Sequence, residues 1–149
     1  MNDFSTEPTP ETKTIRDVID AIERSEKIFA VAIDGNALGG AFELSLACDY
    51  RVATPRSLLS FPEIGLGLLP GAGGTQRLPR VVDVQEALQI MLKATRVPAD
   101  EALAKGILDQ AVESDPSTSS GQAVVAAAVA VVKEGRKRRL SERRAILPK

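Results

Sequence analysis

Residues 29–80 constrain the fold of this 149-residue chain more than any other stretch. The stretch begins in an apolar run, passes through a glycine pair at Gly39 and Gly40, and ends beyond a second glycine-rich loop at 70–74. A short, continuous apolar run is typical of a strand that is covered on both faces, and the glycine pair leads into a segment with helical spacing. Strands that alternate with helices predict an α/β layered fold rather than a helical bundle.

Local patterns divide the chain into helices and short strands. The first helix has an N-cap residue followed at the third position by an acidic residue, a variant of the capping box. The predicted elements in chain order are a helix from Thr14 to 25–27, a strand at 28–33, a helix after Gly40, strands at 50–53 and 58–61, a short helix capped by Thr75, helices at 84–94 and 99–105, an extended segment at 107–112 and a helix at 123–140.

Composition predicts one main domain with polar segments on either side. Residues 1–13 are rich in threonine, proline and glutamate, and we expect them to be a mobile tail. Residues 113–122 concentrate proline, serine, threonine and glycine, which is typical of a flexible hinge. We therefore assign residues 14–112 to the main domain and residues 123–149 to a C-terminal helix with a basic tail.

The residue types that the sequence lacks exclude several kinds of site. With no histidine and one cysteine, Cys48, the chain cannot build an imidazole triad or a histidine or thiolate metal centre, and we expect no metal. The lone cysteine fits a reducing compartment, so we expect a cytoplasmic protein, and Cys48 itself is interpreted as a core residue. No apolar run is long enough to span a bilayer, and the net charge is −1, so we expect neither a membrane nor nucleic acid as a partner.

Two glutamates stand beside the glycine-rich loops. Glu43 follows Gly40 by three residues, about one helical turn, which places its carboxylate over any ligand bound at the helix start. Glu63 lies in apolar surroundings, where an unpaired carboxylate is costly unless it turns outward or has a role. The pattern leaves other interpretations open: the glycines serve close packing or a turn, and Glu43 is a solvated residue on a helix face.

The second glycine-rich loop and the basic C-terminus have less specific patterns. The loop at 70–75 lacks the lysine of a P-loop and the spacing of a dinucleotide motif, so we interpret it as a close backbone approach to the Glu63 segment. The basic tail is a solvated helix end, a phosphate-contacting patch or a linker to a further domain, and we favour the first and third over nucleic-acid binding. Its cations are Lys133, Arg136, Lys137, Arg138, Arg139, Arg143 and Arg144.

Two sequence blocks resemble the enoyl-CoA hydratase/isomerase, or crotonase, family: ALGGAFELSLACDYRVA and FPEIGLGLLPGAGGTQRLPR. The resemblance runs from about residue 15 to residue 112 and is strongest to the hydratase part of multifunctional fatty-acid oxidation enzymes. It implies an α/β fold, in which a crotonase-like spiral of β-β-α units is followed by C-terminal helices.

The resemblance also implies an activity, the syn addition of water to a 2-enoyl-CoA in fatty-acid β-oxidation. The substrate is then an acyl-CoA thioester, and no cofactor is expected. The N–H group of Gly40 would contribute to the oxyanion hole, while Glu43 and Glu63 would activate the water and deliver a proton to C2. The further residues that the resemblance assigns to substrate binding are Gly39, Leu66, Leu69 and Gly71, with residues 66–69 along the acyl channel.

In the family, a second oxyanion N–H comes from an upstream segment of the Ala-Gly-Ala-Asp type, and the residues before Thr14 contain none. We therefore expect a domain that lacks its first strands, exposes an edge at 28–33 and loses ~10²–10³ in rate. Two alternatives are a non-catalytic remnant or oligomer subunit, and an enoyl-CoA isomerase that uses Glu63 alone. Because family members form trimers or hexamers, we expect a homo-oligomer or a partner domain that supplies the missing half.

Overall fold

A computed structural model describes residues 13–112, 120–140 and 143–147 of the chain. Short strands and helices alternate along the described residues, as the sequence predicts. Two 3₁₀ helices, Pro62–Leu66 and Leu78–Arg80, join the regular elements. Those regular elements are α1 (Ile15–Arg24), β1 (Ala30–Ile33), β2 (Asn36–Leu38), α2 (Gly40–Ala47), β3 (Tyr50–Ala53), β4 (Leu58–Ser60), α3 (Gly74–Arg77), α4 (Val84–Leu92), β5 (Val97–Pro98), α5 (Ala99–Ala104), β6 (Gln110–Ala111) and α6 (Ser120–Glu134).

The strands form two small sheets in which the chain moves repeatedly from one sheet to the other. One sheet has the order β1-β3-β6 and is parallel throughout. The other has the order β2-β4-β5, with β2 and β4 parallel and β5 antiparallel to β4. Because β1 and β2 precede α2 while β3 and β4 follow it, each turn of the chain adds one strand to each sheet. This arrangement confirms the predicted α/β fold built of β-β-α units.

The main core lies where α2 packs between the sheets and the later helices. Phe42 of α2 and Phe61, after β4, are both fully buried, and their rings stack at a centroid distance of 4.6 Å. The surrounding core is aliphatic, as expected for a chain with 3% aromatic residues. Stacked aromatic rings of this kind fix the start of α2 relative to the segment that follows β4.

Helix α1 begins with the predicted capping box and lies against α2. The Thr14 hydroxyl accepts the N–H of Asp17, and the Asp17 carboxylate accepts the N–H of Thr14. Ile19 is fully buried against Ala47 and Ala72, whereas Ile15 and Val18 remain 45% exposed. One stripe of α1 therefore attaches the helix both to α2 and to the glycine-rich loop at 70–74.

Strand β1 forms the free edge of its sheet in the described part of the chain, as expected for residues 28–33. It begins at Ala30 and pairs only with β3 there. Residues 30–32 are partly exposed, and only Ile33 is buried. Both faces of the strand are nevertheless packed, as the sequence predicts. Val31 and Ile33 lie against the main core, and Ala30 and Ala32 lie against the cluster formed with α6. The partial exposure of residues 30–32 follows from the free edge, which leaves one side of the strand without a neighbour.

The predicted boundaries of α3, α4 and α6 differ from those in the structure. Gly73, in the left-handed region with φ 103°, caps α3, so the prediction of Thr75 as N-cap is wrong. Helix α4 ends at Leu92 rather than at 94. Helix α6 includes residues 120–122 of the predicted hinge and ends at Glu134 instead of 140, directly before Gly135, and glycine is a poor helix former.

Residues 135–140 leave the helix and lie across the body of the protein; we call them the basic strap. Lys137 Nζ lies 3.0 Å from Asp49 Oδ2, and Arg138 Nη2 lies 2.6 Å from Asp109 Oδ1. The Arg138 guanidinium also lies 3.8 Å from the centroid of the Tyr50 ring. The interpretation as a solvated helix end is therefore wrong for Lys137 and Arg138, because long-range ion pairs bind them to the domain.

Two of the predicted flexible segments coincide largely with undescribed parts of the chain. The tail at 1–13 lies outside the described residues except for Lys13, and so do residues 113–119 of the hinge. Among the helices that are described, none combines the length and the apolar character needed to cross a membrane.

Candidate active site

The glycine pair forms the start of α2 and one wall of a cleft. Gly39 has φ 54° and donates its N–H to the Ser60 carbonyl oxygen at 2.9 Å. Gly40 is the first residue of the helix, so its N–H has no partner within the helix and lies at the positive end of the helix dipole. A Cβ at Gly39 would lie 2.9 Å from Glu63 Oε1, which shows how closely that carboxylate approaches the helix start.

Glu43 lies one turn into α2 and is only 3% exposed. Its Oε1 accepts two backbone N–H groups, from Ala72 at 2.8 Å and from Gly74 at 2.7 Å. Within the described part of the chain, Oε2 has no hydrogen-bond partner. The interpretation of Glu43 as a solvated residue on a helix face is therefore wrong, because the fold buries this carboxylate against the second glycine-rich loop.

Glu63 lies in the 3₁₀ helix that follows β4 and is partly buried. Its Oε2 is buried and has no hydrogen-bond partner among the described residues. Burial raises the pKa of the carboxyl above its usual value; a hydrogen bond from the residue's own backbone lowers this pKa, and the nearby Glu43 charge raises it further. The two glutamates therefore share one site but differ in how their carboxyl groups are stabilised.

The loop at 70–74 is held by two arginines that sequence patterns did not single out. Arg77 Nη1 donates to the Ala72 carbonyl oxygen at 2.8 Å, and Arg16 donates to the Gly71 carbonyl oxygen. The prediction that this loop approaches the Glu63 segment is only partly correct. Gly74 does pack against the ring of Phe61, but the hydrogen bonds of the loop go to Glu43.

A cleft of about 710 Å³ brings most of the predicted site residues together. Leu66 is an exception, since it is 78% exposed and lies outside the lining of the cleft. Gly39 lies behind the wall, where it contacts Glu63. The start of α1 also contributes to the cleft, which no local pattern indicated. The lining residues are Thr14, Ile15, Arg16, Gly40, Glu43, Glu63, Leu68, Leu69, Gly71 and Ala72.

Other reactive groups lie away from this cleft or are suppressed by burial. Cys48 is buried, and burial raises the pKa of its thiol to about 11, so the interpretation as a core residue is confirmed. Among the residues that the structure describes, no three histidine, cysteine or acidic side chains come close enough together to hold a metal ion.

The cleft has the parts needed for acid–base chemistry at a carbonyl compound. A free N–H at the start of α2 can bind a developing oxyanion, and two carboxyl groups lie on either side of the same space. Because burial favours the protonated form of Glu63, the two groups are suited to opposite roles as acid and base. The apolar side chains of Leu68 and Leu69 border the same space and can contact an acyl chain.

Comparison with known proteins identifies relatives over most of the described region. The sequence profile of the enoyl-CoA hydratase/isomerase family matches residues 5–136. A peroxisomal bifunctional enzyme from Homo sapiens is 50% identical over 103 residues, which are 69% of this chain and 14% of that protein. A glyoxysomal fatty acid beta-oxidation multifunctional protein, MFP-a, from Cucumis sativus is 42% identical over 106 residues, 71% of this chain and 15% of that protein.

Solved structures show the same fold over less than half of their length. An enoyl-CoA hydratase from Bacillus anthracis has a TM-score of 0.72 and 35% identity, covering 80% of this chain and 44% of that one. An enoyl-CoA hydratase from Mycobacterium avium subsp. paratuberculosis has a TM-score of 0.73 and 26% identity, with coverage of 81% and 48%. The chain therefore has the crotonase fold and belongs to the enoyl-CoA hydratase/isomerase family.

Proposed function

We propose that this chain carries the acid–base half of an enoyl-CoA hydratase site, which adds water to a 2-enoyl-CoA. The observation that carries the proposal is the convergence of Gly40, Glu43 and Glu63 on one cleft. The multifunctional β-oxidation proteins among its relatives support a substrate of the fatty acyl-CoA class. No cofactor takes part in the proposed reaction, because hydration moves only protons and water.

In the proposed reaction, the thioester oxygen accepts the N–H of Gly40 while a water molecule binds between the two carboxyl groups. Glu43 takes a proton from the water, whose oxygen bonds to C3 of the substrate. Glu63 gives its proton to C2 on the same face, which yields a 3-hydroxyacyl-CoA. The product gains OH at C3 from the water and H at C2 from Glu63, which leaves Glu43 protonated and Glu63 ionised. Loss of the Glu43 proton to solvent and uptake of a proton by Glu63 restore both groups, so the net change is the addition of one water molecule. The raised pKa of Glu63 supports its role as the acid.

Hydration is favoured over isomerisation because two carboxyl groups, not one, lie in the cleft. An isomerase moves a proton between C2 and C4 and needs a single carboxyl group, for which Glu63 alone would be sufficient. The burial of Glu43, with one oxygen held by Ala72 and Gly74, supports a second role in the cleft. The other oxygen of Glu43 is then available for the water.

Activity assays with two substrates test this proposal. We expect the 149-residue chain to hydrate crotonyl-CoA, measured by the loss of enone absorbance. Glu43→Gln and Glu63→Gln should each lower the rate by ~10²–10⁴, the usual contribution of one general acid or base. Supplied with a 3-enoyl-CoA thioester, a hydratase should give no 2-enoyl product, whereas an isomerase that uses Glu63 alone should keep its activity in Glu43→Gln.

Glu101→Gln provides the matched control, since Glu101 lies on α5 outside the cleft and is paired with Lys105. This variant should hydrate at the wild-type rate. A wild-type rate equal to that of Glu63→Gln would contradict the hydratase proposal and favour the non-catalytic alternative.

We also propose that the free edge of β1 pairs with the strands that complete the domain, contributed by further sequence or by another chain. The matched hydratases are more than twice as long as the segment shared with this chain, and β1 has an unpaired side in the described residues. A homo-oligomer is the form expected from the family. Light scattering on the 149-residue chain tests this, and a well-folded monomer would contradict self-association. The cytoplasmic location stays a prediction.

A further inference from the structure

Arg77 is a charged residue in the interior that the acid–base chemistry does not use. Its side chain is buried at the end of α3, with 6% of the residue exposed. Nε donates to Glu23 Oε1 of α1 at 2.9 Å, and Nη1 donates to the Ala72 carbonyl oxygen at 2.8 Å. A Cβ at Gly73 would lie 2.0 Å from Nη1, so the loop backbone is wound closely around the guanidinium. The arginine therefore fixes the loop relative to α1.

The same loop donates the N–H groups of Ala72 and Gly74 to Glu43, on the side of the loop that faces away from Arg77. In a trans peptide unit the C=O and N–H bonds point in opposite directions. The peptide between Gly71 and Ala72 follows this rule: its carbonyl accepts from Arg16, and its N–H donates to Glu43 Oε1. The next carbonyl, of Ala72, accepts from Arg77. The loop is thus held from two sides. Arginine side chains bind its carbonyl groups, and the Glu43 carboxylate binds its N–H groups.

We propose that Arg77 is a positioning residue, which sets the N–H groups of Ala72 and Gly74 on Glu43 and so aims the second carboxylate oxygen into the cleft. The relevance of this role to catalysis rests on the proposed function. Two N–H groups reach one oxygen here only because Gly73, between them, adopts φ 103°. The Ala72 carbonyl shares its peptide unit with the N–H of Gly73, so Arg77 acts on the two donors by holding the loop conformation.

A lysine cannot replace Arg77 in this role. The guanidinium contacts Glu23 and Ala72 through two different nitrogen atoms held in a rigid plane, whereas lysine has one nitrogen on a flexible stem. Arg77→Lys keeps the positive charge and a contact to one partner, and it loses the simultaneous contact to both. The substitution therefore separates the charge of Arg77 from its geometry.

Solution NMR of the free protein tests the proposal without relying on turnover. In Arg77→Lys and Arg77→Met we expect the amide protons of Ala72 and Gly74 to move upfield and to exchange faster. The exchange should quicken on the order of tenfold, as for the loss of one charge-assisted hydrogen bond. Arg56→Lys is the matched control, because Arg56 forms an exposed pair with Asp34 and should leave both amides unchanged.

A double-mutant cycle separates positioning from simple structural support. If Arg77 acts through the hydrogen bonds to Glu43, Arg77→Lys should change the two amides much less in a Glu43→Met background, which lacks the acceptor oxygen. Additive changes, or unchanged amides in a folded Arg77→Lys protein, would overturn the proposal. Arg77→Lys also keeps the test valid if Arg77→Met does not fold.

Activity gives an independent measurement. We expect Arg77→Lys to lower kcat for hydration about tenfold with little change in KM, because the misplaced group is Glu43 and not the acyl-binding surface. Absence of hydration in the wild-type protein would contradict the proposed function, while the amide measurement would still decide the role of Arg77.

Discussion

Buried carboxyl oxygens in two regions of this protein differ in whether they have hydrogen-bond and ion-pair partners. Under the basic strap, Asp49 is 2% exposed and accepts from the Phe29 N–H at 2.8 Å, from Lys137 Nζ at 3.0 Å and from the Arg138 N–H. In the cleft, Glu63 has a buried oxygen without a hydrogen-bond partner, and no described cation contacts it. A fully paired buried carboxylate supports the fold, whereas an unpaired one is a candidate for chemistry.

The strap and the cleft also differ in the partners of their backbone N–H groups. The strap supplies cations and an N–H group to a carboxylate that holds two distant parts of the chain together. The cleft keeps the N–H of Gly40 free of helical partners and leaves one oxygen of Glu43 open among the described residues. Burial alone therefore does not distinguish a functional carboxylate from a structural one. The feature that distinguishes a functional carboxylate is a buried acceptor oxygen that has no hydrogen-bond donor.

Asp49→Ala should have the largest effect on stability of the substitutions considered. It would leave the Phe29 N–H, the Arg138 N–H and the Lys137 cation without their common acceptor. Removing one partner of a buried ion pair typically costs ~3–5 kcal/mol, and urea unfolding of the two proteins measures the difference.

Arg56→Ala is the control for this prediction. Arg56 has a side chain that is 65% exposed, so loss of its pair with Asp34 should change the free energy of unfolding by only about 0–1 kcal/mol. Equal effects of Asp49→Ala and Arg56→Ala would remove the distinction between the strap and an ordinary surface ion pair.

Features with short sequence spacing could be predicted from the residues themselves, whereas the shared site of Glu43 and Glu63 was expected only from the family resemblance, and most other long-range contacts were not predicted. The capping box needs only Thr14 and Asp17, three residues apart, and the glycine pair stands directly before α2. The hydrogen bonds that bury Glu43 come from backbone N–H groups about thirty residues further along, and any residue type has such a group. No side-chain pattern therefore marked the loop as the partner of Glu43.

The strap shows the same limit at a larger separation. Lys137 and Asp49 are 88 residues apart, so the basic segment had to be interpreted without its acidic partners. The sequence predicted a helix that continues to residue 140, which is longer than the one that forms. The ion pairs and Gly135 outweigh the local helix propensity, which is weak for any single residue.

Gly74→Ala tests how tightly the cleft side is packed, with an intermediate effect. The added Cβ would lie 2.8 Å from Cζ of Phe61 and 3.0 Å from Glu43 Oε1. Phe61 is fully buried, so its ring cannot move away freely, and we expect a loss of ~1–3 kcal/mol in thermal or urea unfolding. Gly71→Ala is the control, because the nearest atom to its Cβ is 4.0 Å away. A similar loss there would contradict the packing argument.

Glu63→Gln should have the smallest effect on stability, and its sign is opposite to that of Asp49→Ala. The pKa of Glu63 is raised in the folded protein, mainly by burial, so the folded state holds this proton more tightly than the unfolded state does. Its contribution to stability is therefore present below the ordinary carboxyl pKa of about 4.3 and is lost as the pH rises through the raised value. At pH 7 the glutamine variant should therefore be more stable than the wild type.

Urea unfolding of wild type and Glu63→Gln at a series of pH values measures this effect. The stability difference should be small at about pH 3, where the carboxyl is largely protonated in both states, and should grow toward pH 7. Glu101→Gln, on the exposed side of α5, should show no such growth. A Glu63→Gln protein that is less stable than wild type at pH 7 would mean that the charged carboxylate is paired in solution. The contrast with Asp49 would then be lost, because both carboxylates would support the fold.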